Sequence, residues 1–145
     1  MSGKVAVRDR GTGFDLPAVA PIFGDHTTRL GVAERVRFTG RLDRDQMAAL
    51  YRDADLTLNP SRVDNMPVSV LEAMACGVPV VTTDVGGIPF LVSHERTALL
   101  VPADASQAMA DAALRVLDDA PLAAVLRQAG LEGLEERPAG QRSEE

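Results

Sequence analysis

The stretch that decides the fold combines a strand, a loop, a helix and a second strand. Residues 56–83 read LTLNPSRVDNMPVSVLEAMACGVPVVTT. The run LTLN is short and stopped by Asn59-Pro60, and VPVVTT is apolar at consecutive positions, as in strands buried on both faces of a parallel sheet. Between them, Pro67 suits the first turn of a helix and Gly77 suits its C-terminal end. The stretch therefore predicts a β-α-β unit.

The flanking sequence continues this alternation. Further strands are predicted at 36–40 (VRFTG) and 98–102 (ALLVP), and amphipathic helices at 43–54, 104–119 and 121–134. Asp104 and Gln107 are spaced like a capping box at the start of one of these helices. The order predicts an α/β fold, a Rossmann-like, mainly parallel sheet flanked by helices.

The predicted domain covers residues 30–135. Residues 1–29 have no clear period and stay unassigned, apart from a short strand predicted near Lys4 to Val7. Residues 136–145 read as a polar tail. We therefore expect one partial Rossmann-like domain between an unclear N-terminal stretch and a frayed end.

Composition excludes several classes of protein. The net charge is −6, whereas surfaces that follow nucleic-acid phosphates are usually basic, so we expect no nucleic-acid partner. Aromatic residues make up 3%, which disfavours stacking platforms for single strands. The single cysteine, Cys76, leaves no internal disulfide, and no window is long and apolar enough to span a bilayer. These features favour a cytoplasmic protein.

The predicted helix after Pro67 carries a carboxylate in apolar surroundings. Glu72 stands among valine, leucine, alanine and methionine, and Asp64 lies eight positions before it. A buried charge is costly unless something pairs with it, and the helix dipole offsets only about 0.3–1 kcal/mol. We therefore expect Glu72 to face a cleft or strong hydrogen-bond donors. For Asp64, a capping role in the turn is also open.

The position of that cleft follows from the predicted sheet. Ligands of open parallel sheets bind outside the carboxyl ends of the strands, where the loops after LTLN and VPVVTT should meet. The first loop leads into a helix N-terminus, whose N–H groups suit a phosphate, and Ser61 there either caps the turn or touches phosphate. The second loop holds Gly86-Gly87, which lets the backbone approach a ligand closely. With Glu72 accepting from ribose hydroxyls, this outlines a nucleoside diphosphate site.

Several spaced elements agree with a known family. Residues 59–92 read NPSRVDNMPVSVLEAMACGVPVVTTDVGGIPFLV, followed by TALLVP at 97–102. This segment resembles the donor-binding half of retaining glycosyltransferases of the GT-B fold, family four (group 1). That family carries two acids separated by seven positions, a helix ending in Ala-x-Gly, a Val-Pro-Val-Val strand and a Gly-Gly turn. The match runs from about residue 30 to about 117.

The resemblance implies a role for each matching residue. Glu72 is expected to hold the ribose hydroxyls, and Asp64 is expected near the donor-sugar hydroxyls as the catalytic residue. The family usually has Glu at the position of Asp64, so the shorter side chain alters that contact. Asn65, Met66 and Val68 match positions whose backbone amides approach the sugar and diphosphate.

Further residues of the expected site come from the two loops, and the resemblance implies the ligands. Ser61, Gly86 and Gly87 belong to the expected donor site. The donor is a UDP-, GDP- or ADP-sugar, and neither a metal nor a further cofactor is expected.

The activity implied is retaining transfer of a glycosyl group from a nucleoside diphosphate sugar to an acceptor hydroxyl. Family enzymes also have an N-terminal acceptor domain, and an Arg and a Lys early in the C-terminal domain that find no match in residues 1–29. We therefore expect a truncated chain that supplies the donor-binding part and needs the missing acceptor domain as partner. The alternatives are a non-catalytic remnant or interaction module that keeps the fold only, and an epimerase of the same architecture. Peripheral membrane contact of the full enzyme stays open.

Overall fold

The computed structural model describes residues 5–7, 27–64 and 66–136. The strands are β1 Val5–Val7, β2 Leu56–Asn59, β3 Val80–Thr83 and β4 Leu99–Val101. The helices are α1 Arg44–Asp53, α2 Val68–Ala75, α3 Ile88–Leu91, α4 Ser106–Asp118 and α5 Ala120–Glu135, and a 3₁₀ helix covers Ala33–Arg35. The domain limits at 30 and 135 stay predictions.

The four strands form one parallel sheet in the order β1-β2-β3-β4. The pairs Leu58–Val81 and Val81–Leu99 define the register of β2, β3 and β4. The α/β class and the parallel sheet are therefore confirmed. Since all strands run in one direction, their carboxyl ends lie at one edge, and the loops after β2 and β3 open there.

The two faces of the sheet carry separate apolar cores. Val80 packs in a cluster with residues of α1 and α2, including Tyr51 and Val70. Its neighbour Val81 packs on the other face with residues of α4 and α5, including Leu126. Consecutive apolar positions on β3 are thus buried on both faces, which is the pattern that the sequence predicted.

The strand predicted at 36–40 is wrong. These residues have no regular secondary structure, and Val36 and Phe38 are 40% and 50% exposed. A strand needs a neighbour for its backbone groups, and the described sheet consists of β1 to β4 without residues 36–40. The short strand predicted near Lys4 to Val7 is present as β1 and takes that position beside β2.

The capping box predicted at Asp104 and Gln107 is also wrong. The N-cap of α4 is Ala105, without a side-chain cap. Asp104 has a positive φ of 56° and accepts from Arg62 Nε at 2.6 Å, and Gln107 donates to Asp111 instead. The Asp104 carboxylate, which the local spacing predicted to cap α4, therefore pairs with Arg62 from the loop after β2.

A capping box does close the start of α1. Asp43 Oδ1 accepts from the Gln46 amide at 2.8 Å, and Gln46 Oε1 accepts from the Asp43 amide at 3.0 Å. Two of the amides that a helix start leaves without partners are satisfied in this way. The signal, an acid followed three positions later by glutamine, is visible in the sequence.

Candidate functional site

Two loops meet at the carboxyl edge of the sheet. The Asp64 loop, residues 60–67, connects β2 to α2, and its Asn65 lies outside the described residues. The glycine loop, residues 84–87, connects β3 to α3. The Gly87 amide donates to the Asp64 carbonyl oxygen at 2.9 Å, so the loops are joined directly.

Gly86 packs against the backbone of Asp64. Its φ is +55°, and a Cβ built on Gly86 would lie 2.1 Å from the Asp64 carbonyl oxygen and 2.8 Å from its carbonyl carbon. The sequence predicted that Gly86 and Gly87 approach a ligand, whereas in the structure they approach the Asp64 loop. A ligand contact of Gly86 and Gly87 stays a prediction.

The beginning of the Asp64 loop is held by buried polar groups. Asn59 Nδ2 donates to Thr82 Oγ1 at 3.0 Å, and Ser61 Oγ donates to Asn59 Oδ1 at 2.9 Å. Thr83 Oγ1 donates to the Ser61 carbonyl oxygen at 2.6 Å. Buried polar groups need such partners, and these connect the loop to the end of β3. The Ser61 hydroxyl is thus engaged inside the protein.

Asp64 itself is buried, with 2% of its surface exposed. It precedes the start of α2, where the N-cap residue Pro67 makes no side-chain cap and no acidic residue stands in the first turn. The Val68 amide donates to the Met66 carbonyl oxygen at 2.9 Å, which closes a tight turn before the helix. The positive end of the helix dipole therefore lies next to the Asp64 loop.

Ser69, in the first turn of α2, is a buried polar residue that sequence reasoning missed. It is 2% exposed, and within the part of the chain that the structure describes its Oγ has no hydrogen-bond partner. Its carbonyl oxygen accepts from the Tyr51 hydroxyl at 3.4 Å. A buried hydroxyl with no partner is costly and marks a place where a polar ligand group would be favourable.

Glu72 lies on the less buried side of α2, with its Oε2 shielded from solvent. One face of the helix is buried and consists of Ser69, Val70, Ala73 and Met74. Glu72 is half-buried and follows Val68 by four positions, so the two share the other face, which ends at the exposed Ala75. Only Ala75 of this helix is exposed, so α2 is packed on most sides, and the carboxylate is one turn beyond the helix start.

A family model described as glycosyl transferases, group 1, matches residues 18–119 of this chain. The chain belongs to the group 1 glycosyl transferases. The sequence resembled that family through the spacing of Asp64 and Glu72, the helix ending in Ala-x-Gly, the Val-Pro-Val-Val strand and the Gly-Gly turn.

Relatives of this group 1 glycosyl transferase are longer than the chain itself. A D-inositol 3-phosphate glycosyltransferase of Mycobacteroides abscessus is 40% identical over 102 residues, 70% of this chain and 22% of that protein. The crystal structure of Anabaena HepE in complex with UDP-glucose superimposes with a TM-score of 0.78 and 26% identity, over 88% of this chain and 34% of HepE. The chain spans less than a third of the length of the curated relatives first matched.

A third comparison concerns the fold alone. The C-terminal domain of the group 1 glycosyl transferase LpcC from Francisella tularensis superimposes with a TM-score of 0.80 at 18% identity, over 93% of this chain and 85% of that domain. The likeness shows that the present chain shares the fold of that domain.

Other features at this edge of the group 1 domain are a cavity and three exposed apolar side chains. The cavity holds about 330 Å³, and Arg62 and Asp104 form an exposed ion pair in its lining. The exposed apolar residues are Val63, Met66 and Phe90. In residues 5–7, 27–64 and 66–136, no group of three His, Cys, Asp or Glu side chains is arranged to hold a metal, and no helix has the length and apolarity to cross a bilayer.

Proposed function

We propose that this chain binds the donor of a retaining glycosyltransferase, a nucleoside diphosphate sugar whose glycosyl group moves to an acceptor hydroxyl. One observation carries the proposal: Asp64 and Glu72 flank the start of α2, whose N-cap residue Pro67 makes no side-chain cap, at the carboxyl edge of a parallel sheet. An anionic diphosphate suits that helix start, and the two carboxylates suit hydroxyl groups on either side of it.

Each part of the donor has a proposed partner. The diphosphate takes the backbone amides at the start of α2 and the Ser69 hydroxyl. The ribose diol donates to Glu72, and the donor sugar donates to Asp64, which acts as the catalytic residue. Asn65, Met66 and Val68 contribute backbone groups, and the Val68 amide would exchange its Met66 partner for the ligand.

The proposed chemistry needs no metal. An oxygen of the leaving phosphate removes the acceptor proton as the new glycosidic bond forms on the same face of the sugar. The dipole of α2 stabilises the charge that develops on the diphosphate, by about 0.3–1 kcal/mol. That is a small share of a typical enzymatic barrier reduction, so further cationic groups and the acceptor are expected from a second domain.

UDP is the nucleotide to test first, because the HepE structures contain UDP-glucose or UDP. Calorimetric titration of the purified chain with UDP, GDP and ADP should give binding of one of them. Glu72→Gln should weaken that binding roughly tenfold to a hundredfold, since a hydrogen bond to a charged group contributes about 1.5–3 kcal/mol.

The control is Glu132→Gln, which removes the same charge from an exposed glutamate of α5 that accepts from Gln128. Its affinity should equal that of the unaltered chain. If a chain with the circular dichroism of a folded protein binds none of the three nucleotides, the proposal is wrong, and the fold-only alternative takes its place. Equal weakening in both variants would remove Glu72 from the site.

A further inference from the structure

We infer that Gly86 and Thr83 are positioning residues, which hold the Asp64 loop at two points and so fix where the Asp64 carboxylate lies relative to α2. The inference rests on the proposed function for the role of Asp64. The two contacts come from the end of β3 and from the loop after it, whereas Asp64 follows β2. The end of β3 and the loop after it therefore position Asp64, the proposed catalytic residue, which lies in the loop after the neighbouring strand β2.

The Gly86 contact is steric. A Cβ on Gly86 would be 2.1 Å from the Asp64 carbonyl oxygen, closer than any ordinary contact, and the atom it meets is backbone, which cannot turn away as a long side chain can. Gly31 provides the comparison, because its φ of +70° is similar but a Cβ there would meet nothing within 4 Å. Both positions favour glycine for conformation, but only Gly86 needs it for space.

The Gly87 amide explains why so close an approach is kept. Its hydrogen bond to the Asp64 carbonyl oxygen, 2.9 Å long, requires the glycine loop to lie directly against Asp64. A methyl group at Gly86 would push the loops apart and lengthen that bond.

The Thr83 contact is a hydrogen bond. Thr83 Oγ1 donates to the Ser61 carbonyl oxygen at 2.6 Å, and both residues are buried. Valine has the shape of threonine without the donor, so Thr83→Val would leave a buried carbonyl oxygen with one hydrogen bond fewer, while Thr83→Ser keeps the donor. Comparison of these two variants separates the effect of losing the hydrogen bond to Ser61 from the effect of changed packing.

The two contacts should affect one ligand more than another. Asp64 is proposed to contact the donor sugar, whereas the nucleotide depends on Glu72 and the start of α2. Displacement of the Asp64 loop should therefore weaken binding of UDP-glucose more than binding of UDP. General destabilisation of the domain would weaken binding of UDP and UDP-glucose alike. The ratio of the two affinities therefore reports whether the Asp64 loop has moved.

The test compares Gly86→Ala, Gly31→Ala, Thr83→Val and Thr83→Ser in the full chain. In the absence of ligand, NMR of the Asp64 backbone amide and of its carboxylate carbon should show shifts in Gly86→Ala and Thr83→Val. Gly31→Ala and Thr83→Ser should leave both signals where they are. If Gly86→Ala does not fold, the two Thr83 variants decide the result.

The second readout is the affinity for UDP and for UDP-glucose. We expect Gly86→Ala and Thr83→Val to weaken UDP-glucose by about tenfold relative to UDP, the equivalent of one lost hydrogen bond, and the two controls to leave the ratio unchanged. Unmoved Asp64 signals, or an unchanged ratio, would overturn the inference. If the unaltered chain binds neither ligand, the proposed function fails, and the NMR signals alone decide whether Gly86 and Thr83 position Asp64.

Discussion

Arg127 of α5 donates from Nε to the carbonyl oxygen of Gly77 at 2.9 Å, just beyond the end of α2. The helix that carries Glu72 is thus closed at its C-terminal end by a residue fifty positions later in the chain. A cation at that end also suits the helix dipole. At the N-terminal end, in contrast, the N-cap residue Pro67 makes no side-chain cap, so the two ends of α2 differ in how their backbone groups are satisfied.

Arg127→Met is expected to lower the free energy of unfolding by about 0.5–1.5 kcal/mol, because it removes this hydrogen bond while keeping most of the apolar side chain. Urea denaturation measures the change. Arg96→Met, which alters an exposed arginine in the turn before β4, is the control and should be within about 0.5 kcal/mol of the unaltered chain. Equal stability of the two variants would show that the Gly77 contact contributes nothing.

Replacement of glycine by alanine should have opposite effects at two positions. Gly77 ends α2 with a φ of +70°, so Gly77→Ala should destabilise the domain by about 1 kcal/mol although a Cβ would have ordinary contacts. Gly130 lies within α5, and a Cβ there would be 3.6 Å from Met74, also an ordinary contact. Gly130→Ala should therefore stabilise the domain by about 0.5–1 kcal/mol. Thermal unfolding of both variants checks the signs, and a lower midpoint for Gly130→Ala would show that α5 and α2 are too close there for a methyl group.

Stability should fall in acid partly through Glu95. A hydrogen bond from Arg115, and then its charge, lower the pKa of the Glu95 carboxyl from its usual value of 4.5. Since the folded-state pKa lies below the unfolded one, the stabilisation is fully present above about pH 4.5 and is lost as the pH falls through the lowered value. Glu95→Gln should therefore lose stability at pH 7 and approach the unaltered chain near pH 2, measured by urea midpoints. Glu132→Gln, which lacks this partner, should show no such convergence; if it does, the effect is one of net charge.

Local patterns in the sequence predicted most of the fold, and the failures are all long-range. Val80-Val81 identified a strand buried on both faces because that pattern needs no knowledge of the partner strands. The run VRFTG has the composition of a strand, but a strand also needs a partner strand, and the partner of β2 on that side is β1, from a distant part of the chain. Asp104 had the spacing of a cap, but Arg62, 42 positions away, takes its carboxylate.

At the candidate site, too, local patterns predicted the residues but not the long-range contact between them. The spacing of Asp64 and Glu72 identified the acidic pair, and the Gly-Gly dipeptide identified a turn that needs glycine. Neither signal predicts the contact of Gly86 with the Asp64 backbone, because the two residues lie in different loops that only the sheet brings together. The signal that was available is the run of polar residues at the ends of strands buried on both faces, Asn59, Thr82 and Thr83, since buried polar groups require partners.

Two buried hydroxyls, those of Ser69 and Thr57, have no hydrogen-bond partner among the described residues. Removing an unsatisfied hydroxyl relieves a desolvation penalty of roughly 1–3 kcal/mol, so Ser69→Ala and Thr57→Val should each raise, or at least keep, the free energy of unfolding in the absence of ligand. Thr57 lies on β2, three residues before the Asp64 loop begins, whereas Ser69 lies in the first turn of α2. Titration with UDP should therefore separate them: Ser69→Ala weakens binding by about tenfold because the diphosphate loses a donor, and Thr57→Val does not change it. A loss of stability in Ser69→Ala would mean that its hydroxyl has a partner in the free protein, and equal UDP affinity in both variants would place the diphosphate away from Ser69.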